Sequence, residues 1–126
     1  MSEMSGQWPS ELRLKEQGRL LRVAFESGDA YDLTAEYLRV MSPSAEVQGH
    51  SPEERVTVGG KRLCAIIGVE QVGTYAVRLT FDDLHSTGIF TWDYLYELGS
   101  RHDEKWAFYE AELQAKRLSR DIAGDA

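Results

Sequence analysis

The first third of the chain alternates apolar and polar residues with the period of half-buried strands. The alternation covers residues 12–15, 21–25 and 31–33, and turn-forming residues separate the three runs at 17–18 and 27–29. Turns of this length between alternating runs are typical of antiparallel hairpins. Two successive hairpins are therefore predicted before the first helix.

A second group of strands is predicted in the middle of the chain. Residues 62–68 are apolar and rich in β-prone side chains, and residues 75–81 show the most regular alternation in the sequence. Residues 71–73 break the first run and residues 82–85 form a turn after the second. A returning strand over residues 87–90 completes this group.

Two threonines mark the starts of short helices. Thr34 is placed to cap a helix through Arg39, and Thr91 to cap a helix through Leu98, with Gly99 as its stop. A longer helix is predicted from Asp103 to about residue 118. Its acidic start and basic end suit the helix dipole.

The two hairpin regions share one plan. Val23–Leu38 and Leu79–Leu95 each contain an apolar strand, an acidic turn, a returning strand and a threonine cap, followed by an acidic residue, tyrosine and leucine. The sequence therefore predicts an α+β fold, in which an antiparallel sheet is built from hairpin-plus-short-helix units and a C-terminal helix packs on it.

We expect one domain over residues 11–118, with a flexible N-terminal arm at 1–10 and a flexible tail at 119–126. Residues 41–61 have no clear period and contain prolines and glycines. They are predicted to form a long loop, and a long loop in a compact domain usually either carries function or is locally disordered.

Composition narrows the function classes. The formal net charge of −7 argues against a nucleic-acid partner, because phosphate binding needs a basic face. No apolar run approaches the roughly 20 residues that span a bilayer, and the N-terminus lacks the pattern of a signal peptide. Cys64 is the only cysteine, which rules out an internal disulfide. These features predict a cytoplasmic protein without membrane contact.

Three segments carry a family resemblance. Tyr31–His50, Val72–Gly99 and a final helix with a Trp-x-x-Tyr pattern resemble the gamma-butyrobetaine hydroxylase-like N-terminal domain over roughly residues 11–113. The family includes free-standing bacterial proteins, N-terminal domains of carnitine-pathway oxygenases, and parts of P-loop scaffold proteins that carry iron–sulfur clusters. The resemblance implies a domain without the oxygenase iron site, which belongs to a catalytic domain that does not match this sequence.

In the oxygenases of this family, three cysteines and a distant histidine hold a structural zinc ion. Ser42, Ser44 and Val47 stand here where the resemblance places the cysteines, and His85 matches the histidine. Serine hydroxyls are poor zinc ligands and valine cannot bind a metal. We therefore expect the Cys3His zinc site to be absent and no cofactor to be required.

A different metal site stays open as an alternative. His85, His50, Asp83 and Cys64 are the candidate ligands for iron or zinc, since imidazole, carboxylate and thiolate groups bind these ions. Each also has a simpler interpretation. His85 suits a turn histidine bonded to a neighbouring carboxylate, and Cys64 suits a small buried apolar residue.

No catalytic motif was found: there is no Gly-x-Ser-x-Gly, phosphate-binding loop or dinucleotide fingerprint. The leading hypothesis is a non-catalytic protein-interaction or accessory module, which the fused relatives link to iron–sulfur or metalloenzyme assembly. A small metal-binding protein and a docking subunit of a separate 2-oxoglutarate-type oxygenase are the alternatives. The predicted interaction loop carries Ser42, Ser44, Glu46 and His50.

Overall fold

The computed structural model describes residues 8–121. No helix within this range is both long enough and apolar enough to cross a membrane. The elements, in chain order, are β1 Pro9–Lys15, β2 Leu20–Phe25, β3 Ala30–Thr34, α1 Ala35–Val40, α2 Ala45–Gln48, β4 Ile66–Val72, β5 Ala76–Phe81, β6 Ile89–Thr91, α3 Trp92–Ser100 and α4 His102–Ala115. Single 3-10 turns lie at Glu16–Gly18 and Pro52–Glu54.

The strands form two antiparallel sheets of three, in the orders β1-β2-β3 and β4-β5-β6. Each sheet ends in a hairpin that leads directly into a helix, β2–β3 into α1 and β5–β6 into α3. This confirms the predicted α+β fold and its hairpin-plus-helix units. Two sheets are present where one was predicted, since strand alternation gives no information on pairing between distant strands.

The predicted threonine caps are confirmed at both short helices. The Oγ1 atom of Thr34 accepts a hydrogen bond from the Tyr37 N–H at 3.1 Å, and that of Thr91 accepts one from the Tyr94 N–H at 3.1 Å. Each bond satisfies one N–H that the helix start leaves without a partner. The two caps fix the angle at which each hairpin enters its helix.

One apolar core joins the two sheets and the helices. The inward positions of β2 and β5 alternate with wetter neighbours, as the sequence period predicts. α1 and α3 close over the sheets, and α4 adds Tyr109 and Leu113. The largest fully buried side chains are Tyr37, Tyr109, Phe81, Phe90, Leu21, Leu33, Leu38, Leu79, Leu95 and Leu98.

Several boundaries differ from the prediction by a few residues, and two of the differences have a clear structural reason. β4 occupies residues 66–72 and not 62–68, because residues 61–64 form a turn in which the Cys64 N–H donates to the Lys61 carbonyl at 3.0 Å. The strand then continues until the chain reverses at Gly73, which has a φ of 52°. α3 does not stop at Gly99 but continues to Ser100. A Cβ atom on Gly99 would lie 2.3 Å from the Tyr31 ring, so this glycine allows close helix–sheet packing.

The predicted arm and loop also carry regular structure. β1 begins at Pro9, and the Trp8 carbonyl accepts a hydrogen bond from the Glu26 N–H at 2.9 Å. Residues 41–61 contain α2 and a 3-10 turn, because Ser44 caps α2 and the Val56 N–H binds the Val47 carbonyl at 2.7 Å. Residues 1–7 of the predicted arm lie outside the described range.

The start of the predicted tail is held in place. The Ser119 and Arg120 carbonyls accept hydrogen bonds from the Gly60 and Arg62 N–H groups at 2.9 and 3.0 Å. The Arg120 guanidinium donates two bonds of 2.7 Å to the buried carboxylate of Glu36. Local sequence gave no sign of this long-range ion pair. Residues 122–126 lie outside the described range.

Candidate functional site

The segment after α1 is folded by its own serines. Ser44 caps α2, and its Oγ atom accepts a hydrogen bond from the Glu46 N–H at 3.1 Å. The Gln48 side-chain amide donates to the Ser42 carbonyl at 2.9 Å. Gly49, with a φ of 68°, ends the helix. These local bonds fix the shape of residues 42–49.

Five side chains form a closed network at this contact, which we call the His85 network: Ser42, Ser44, Glu46, His85 and Thr87. His85 Nε2 lies 3.0 Å from Ser42 Oγ, and His85 Nδ1 lies 3.1 Å from Glu46 Oε1. Thr87 Oγ1 donates to the same Glu46 oxygen at 3.0 Å and lies 2.6 Å from Ser44 Oγ. The network fastens the segment after α1 to the β5–β6 turn.

The partners of His85 determine its tautomer. An ionised carboxylate can only accept, so Nδ1 carries the proton shared with Glu46, and Nε2 accepts from the Ser42 hydroxyl. Burial lowers the pKa of His85, and nearby Arg39 lowers it further, whereas Glu46 and Asp83 act in the opposite direction. The imidazole is therefore neutral at neutral pH, and each ring nitrogen has a partner.

The hydrogen-bonded chain from Ser42 through His85 to Glu46 resembles a catalytic triad, in which a histidine base activates a serine nucleophile. Ser42, however, has no solvent-exposed surface. A Cβ atom built on Gly88 would lie 2.3 Å from Ser42 Oγ, which shows how closely the backbone covers the hydroxyl. No substrate carbonyl can reach this oxygen in the observed conformation. The geometry supports a packing role for the three side chains.

Asp83 makes a second set of contacts in the same turn. Its carboxylate accepts hydrogen bonds from Arg39 at 2.9 Å, from Lys61 at 2.5 Å and from the His85 N–H at 3.0 Å. Burial alone would raise the pKa of Asp83, but these three bonds hold it well below its usual range. The turn is thus attached to both α1 and the residues before β4.

The four candidate metal ligands are not brought together. His85 and Asp83 are neighbours, but the His85 ring is used by Ser42 and Glu46. His50 is exposed, and Cys64 is buried in the core cluster. Within residues 8–121, no three His, Cys, Asp or Glu side chains converge in positions that would hold a metal ion.

The positions that the family resemblance assigns to a zinc site are partly adjacent. Ser42 contacts His85 directly, and Ser44 joins the same network through Thr87. Val47 is buried and apolar. The donor set of two hydroxyls and one imidazole already bonded to carboxylate does not fit a zinc ion. Hydrogen bonds therefore hold this turn, and the residues present do not suit the metal.

The predicted interaction loop divides into inner and outer residues. Ser42 and Ser44 are buried, so a partner cannot contact them in this conformation. The Glu46 side chain is 65% exposed, and His50 is exposed. Burial thus removes two of the four predicted contact residues, because their hydroxyls satisfy internal bonds.

Three members of the site were missed from sequence. Thr87 and Gly88 lie in the Ser-Thr-Gly stretch before β6, where the glycine is itself a signal for a turn or a close backbone contact. Leu84 has a φ of 71° and a side chain that is 76% exposed. No local pattern predicts that a leucine will adopt the left-handed region, which favours glycine and asparagine.

Comparisons with known proteins place the chain in a family. The family profile described as "Gamma-butyrobetaine hydroxylase-like, N-terminal" matches residues 12–96. None of the curated proteins compared with the chain is a significant match. A protein solved by solution NMR is 46% identical, with a TM-score of 0.79, and the match covers 97% of this chain and 98% of the other.

Two further structures extend the comparison. A second NMR structure is 40% identical, with a TM-score of 0.79, and the match covers all of this chain and 98% of the other. A crystal structure from Acidithiobacillus ferrooxidans, of a protein with unknown function in the DUF971 family, is 40% identical with a TM-score of 0.59. That match covers 71% of this chain and 90% of the other. The chain belongs to the gamma-butyrobetaine hydroxylase-like, N-terminal family.

Proposed function

We propose that this protein is a non-catalytic protein-interaction module that binds its partner through the turn between β5 and β6. Leu84 carries the proposal. Its side chain is 76% exposed, the highest value among the large apolar side chains of residues 8–121. A single exposed leucine is common, but a leucine held in the left-handed region costs on the order of 1–2 kcal/mol. Strain of this kind is often retained at binding sites.

The turn around Leu84 is rigid on both sides. The Leu84 N–H binds the Phe81 carbonyl at 2.8 Å. The preceding Asp83 is bonded to Arg39 and Lys61, and the following His85 belongs to the His85 network. An apolar anchor whose backbone is already fixed loses little entropy when a partner binds. The fixed backbone therefore supports the interpretation that Leu84 contacts a partner, and not merely solvent.

Polar residues surround the exposed Leu84 side chain, as they do around an apolar contact residue in a binding site. Asp82 and Thr87 are exposed on either side, and the Glu46 carboxylate lies on the outer side of the network. Binding sites commonly combine one buried apolar anchor with a polar rim that excludes water. A partner with an apolar pocket and hydrogen-bond donors at its edge would match this surface.

The partner class that we propose is a component of iron–sulfur or metalloenzyme assembly. This choice is based on the fused relatives implied by the family resemblance and is therefore an analogy. We further propose that the module needs no cofactor. The His85 network supports this view, because the side chains that would ligate an ion are already hydrogen-bonded to one another.

Affinity capture from the native cell, followed by titration of the purified partner, tests the proposal. Leu84→Asn keeps a residue that tolerates the left-handed region and removes the apolar anchor. We expect at least a tenfold loss of affinity, the size of a hot-spot substitution. Tyr75→Asn, at another side chain that is 54% exposed, is the matched control. Equal binding by the wild type and Leu84→Asn would overturn the assignment of this surface.

Metal analysis of protein purified without a histidine tag tests the alternative. We expect no zinc or iron near one ion per chain, in the wild type or in His85→Ala. Stoichiometric metal that disappears in His85→Ala would exclude the metal-free module and favour the small metal-binding protein.

A further inference from the structure

A second exposed leucine lies close to Leu84. The Leu63 side chain is 59% exposed, whereas the next residue, Cys64, is buried in the core. Leu63 belongs to a turn that the Cys64 N–H closes by donating to the Lys61 carbonyl at 3.0 Å. Leu84 ends the turn after β5 and has an exposed side chain beside the buried His85. Each of the two turns therefore presents one apolar side chain to solvent.

The two turns lie side by side. The Asp82 N–H donates to the Ala65 carbonyl at 2.8 Å, which extends the antiparallel contact between β4 and β5 beyond the ends of the strands. Leu63 lies two residues before Ala65, and Leu84 lies two residues after Asp82. In an antiparallel pair these positions fall at the same end of the hairpin. A typical interface covers about 800 Å² on each partner, so a protein bound at Leu84 also reaches Leu63.

The charges of the two turns indicate the kind of partner. Asp83 is neutralised by Arg39 and Lys61, which lie 2.9 and 2.5 Å from its carboxylate. Asp82 is exposed, and no cation pairs with its carboxylate within residues 8–121. The whole chain has a formal net charge of −7. The surface is therefore complementary to a partner that places an arginine or lysine opposite Asp82.

We propose that Leu63 is a second contact residue for the partner that binds Leu84. The partner is a protein with an apolar patch that covers both leucines and a basic residue that pairs with Asp82. This inference rests on the proposed function, because it concerns the same partner. Both turns are closed by backbone hydrogen bonds, so neither leucine has to be ordered when the partner binds. Two fixed contacts and one charge also require a partner of matching spacing, which increases specificity.

Photo-crosslinking in the native cell tests whether both leucines touch one partner. The photo-reactive residue p-benzoylphenylalanine replaces Leu63, Leu84 or Tyr75 in the full chain, and mass spectrometry identifies the adducts formed under ultraviolet light. Tyr75 is the matched control, since it is 54% exposed and precedes β5, at the end of that strand opposite to Leu84. We expect the same protein in the adducts from positions 63 and 84, and no adduct from position 75.

The outcomes separate this inference from the proposed function. Adducts from position 84 without the same protein at position 63 would overturn the second contact and leave the Leu84 surface intact. The absence of any adduct from position 84 would refute the proposed function and this inference with it. Adducts of equal strength from position 75 would show non-specific contact and would also overturn the inference.

Titration of the captured partner measures the contribution of each contact. Leu63→Asn should weaken binding at least tenfold, and its thermal melting should change little because the side chain is largely exposed. Asp82→Asn should weaken binding by roughly two- to fivefold at low salt, the effect of one exposed ion pair, and should reduce the dependence of affinity on salt. Full affinity in Leu63→Asn, or an unchanged salt dependence in Asp82→Asn, would overturn the proposed chemistry of the partner.

Discussion

Removing the Arg120 side chain should destabilise the fold far more than its position in a predicted tail suggests. Arg120 donates two hydrogen bonds of 2.7 Å to Glu36, whose side chain is 6% exposed. The guanidinium also lies 5.1 Å from the centre of the Trp106 ring, where it covers the ring face. Arg120→Ala would leave the Glu36 carboxylate buried without a counter-charge.

The structure sets the expected magnitude. Breaking a fully buried ion pair by removing one partner costs about 3–5 kcal/mol. The Arg120 side chain is 29% exposed, so water can enter and partly solvate the remaining carboxylate. We therefore expect a loss of about 2–3 kcal/mol in the free energy of unfolding. With a urea m-value of roughly 1.5 kcal/mol/M, the midpoint should fall by about 1–2 M.

Urea denaturation at neutral pH, followed by tryptophan fluorescence, measures the effect. Arg13→Ala is the matched control, since Arg13 pairs with Glu11 at the surface and should change stability by at most about 0.5 kcal/mol. In a Glu36→Gln background, Arg120→Ala should cost less than about 1 kcal/mol, because no buried charge remains. If Arg120→Ala changed stability no more than Arg13→Ala, the ion pair would not hold this part of the chain, and the reasoning would fail.

Three further predictions follow from close contacts and shifted pKa values. Gly88→Ala should destabilise the fold by about 1–3 kcal/mol, because the new Cβ would lie 2.3 Å from Ser42 Oγ. The loss should be smaller in a Ser42→Ala background, where that oxygen is absent. Gly68→Ala is the control: its Cβ would have its nearest contact at 3.5 Å, so it should have a small effect in the same urea assay. Burial, with Asp82 and Asp83, raises the pKa of Cys64 to about 12, so iodoacetamide should modify it at neutral pH only after denaturation, as mass spectrometry would show. The pKa of Asp83 in the folded protein lies below its value in the unfolded chain, so the stability that its ionised carboxylate contributes is present above about pH 4 and is lost as the pH falls towards the folded-state pKa. Asp83→Asn should therefore flatten the acid side of a plot of stability against pH. An unchanged slope would contradict this.

Local physics accounts for most of the secondary structure. Alternation located the strand pair β2–β3 and strand β5, and the hydroxyls of Thr34 and Thr91 located two helix starts, because caps and strand periods depend on neighbouring residues alone. The same local grounds predict a helix stop at Gly99. In the structure, a glycine is needed at position 99 because the Tyr31 ring packs against it. Tyr31 is distant in sequence, so a rule based on neighbouring residues does not predict this contact.

The site was predicted less completely than the fold. The family resemblance assigns Ser42 and His85 to the positions of two zinc ligands, and the structure places Ser42 Oγ 3.0 Å from His85 Nε2. The Ser44 hydroxyl bonds to the hydroxyl of Thr87, which lies 43 residues later in the chain, and not to a partner. That contact depends on the path of the β5–β6 turn, which the sequence near Ser44 does not determine. The strained backbone of Leu84 likewise depends on bonds made by its neighbours to distant elements. Such features require three-dimensional contacts that a sequence pattern does not encode.

The ion pair between Glu36 and Arg120 also has a consequence for biosynthesis. Residue 120 leaves the ribosome 84 residues after residue 36, which corresponds to roughly 4–17 s at a translation rate of about 5–20 residues per second. Throughout that delay the Glu36 carboxylate has no guanidinium, so the nascent chain must keep it hydrated. Final closure of the core between α1 and α4 is therefore expected only after residue 120 has been synthesised.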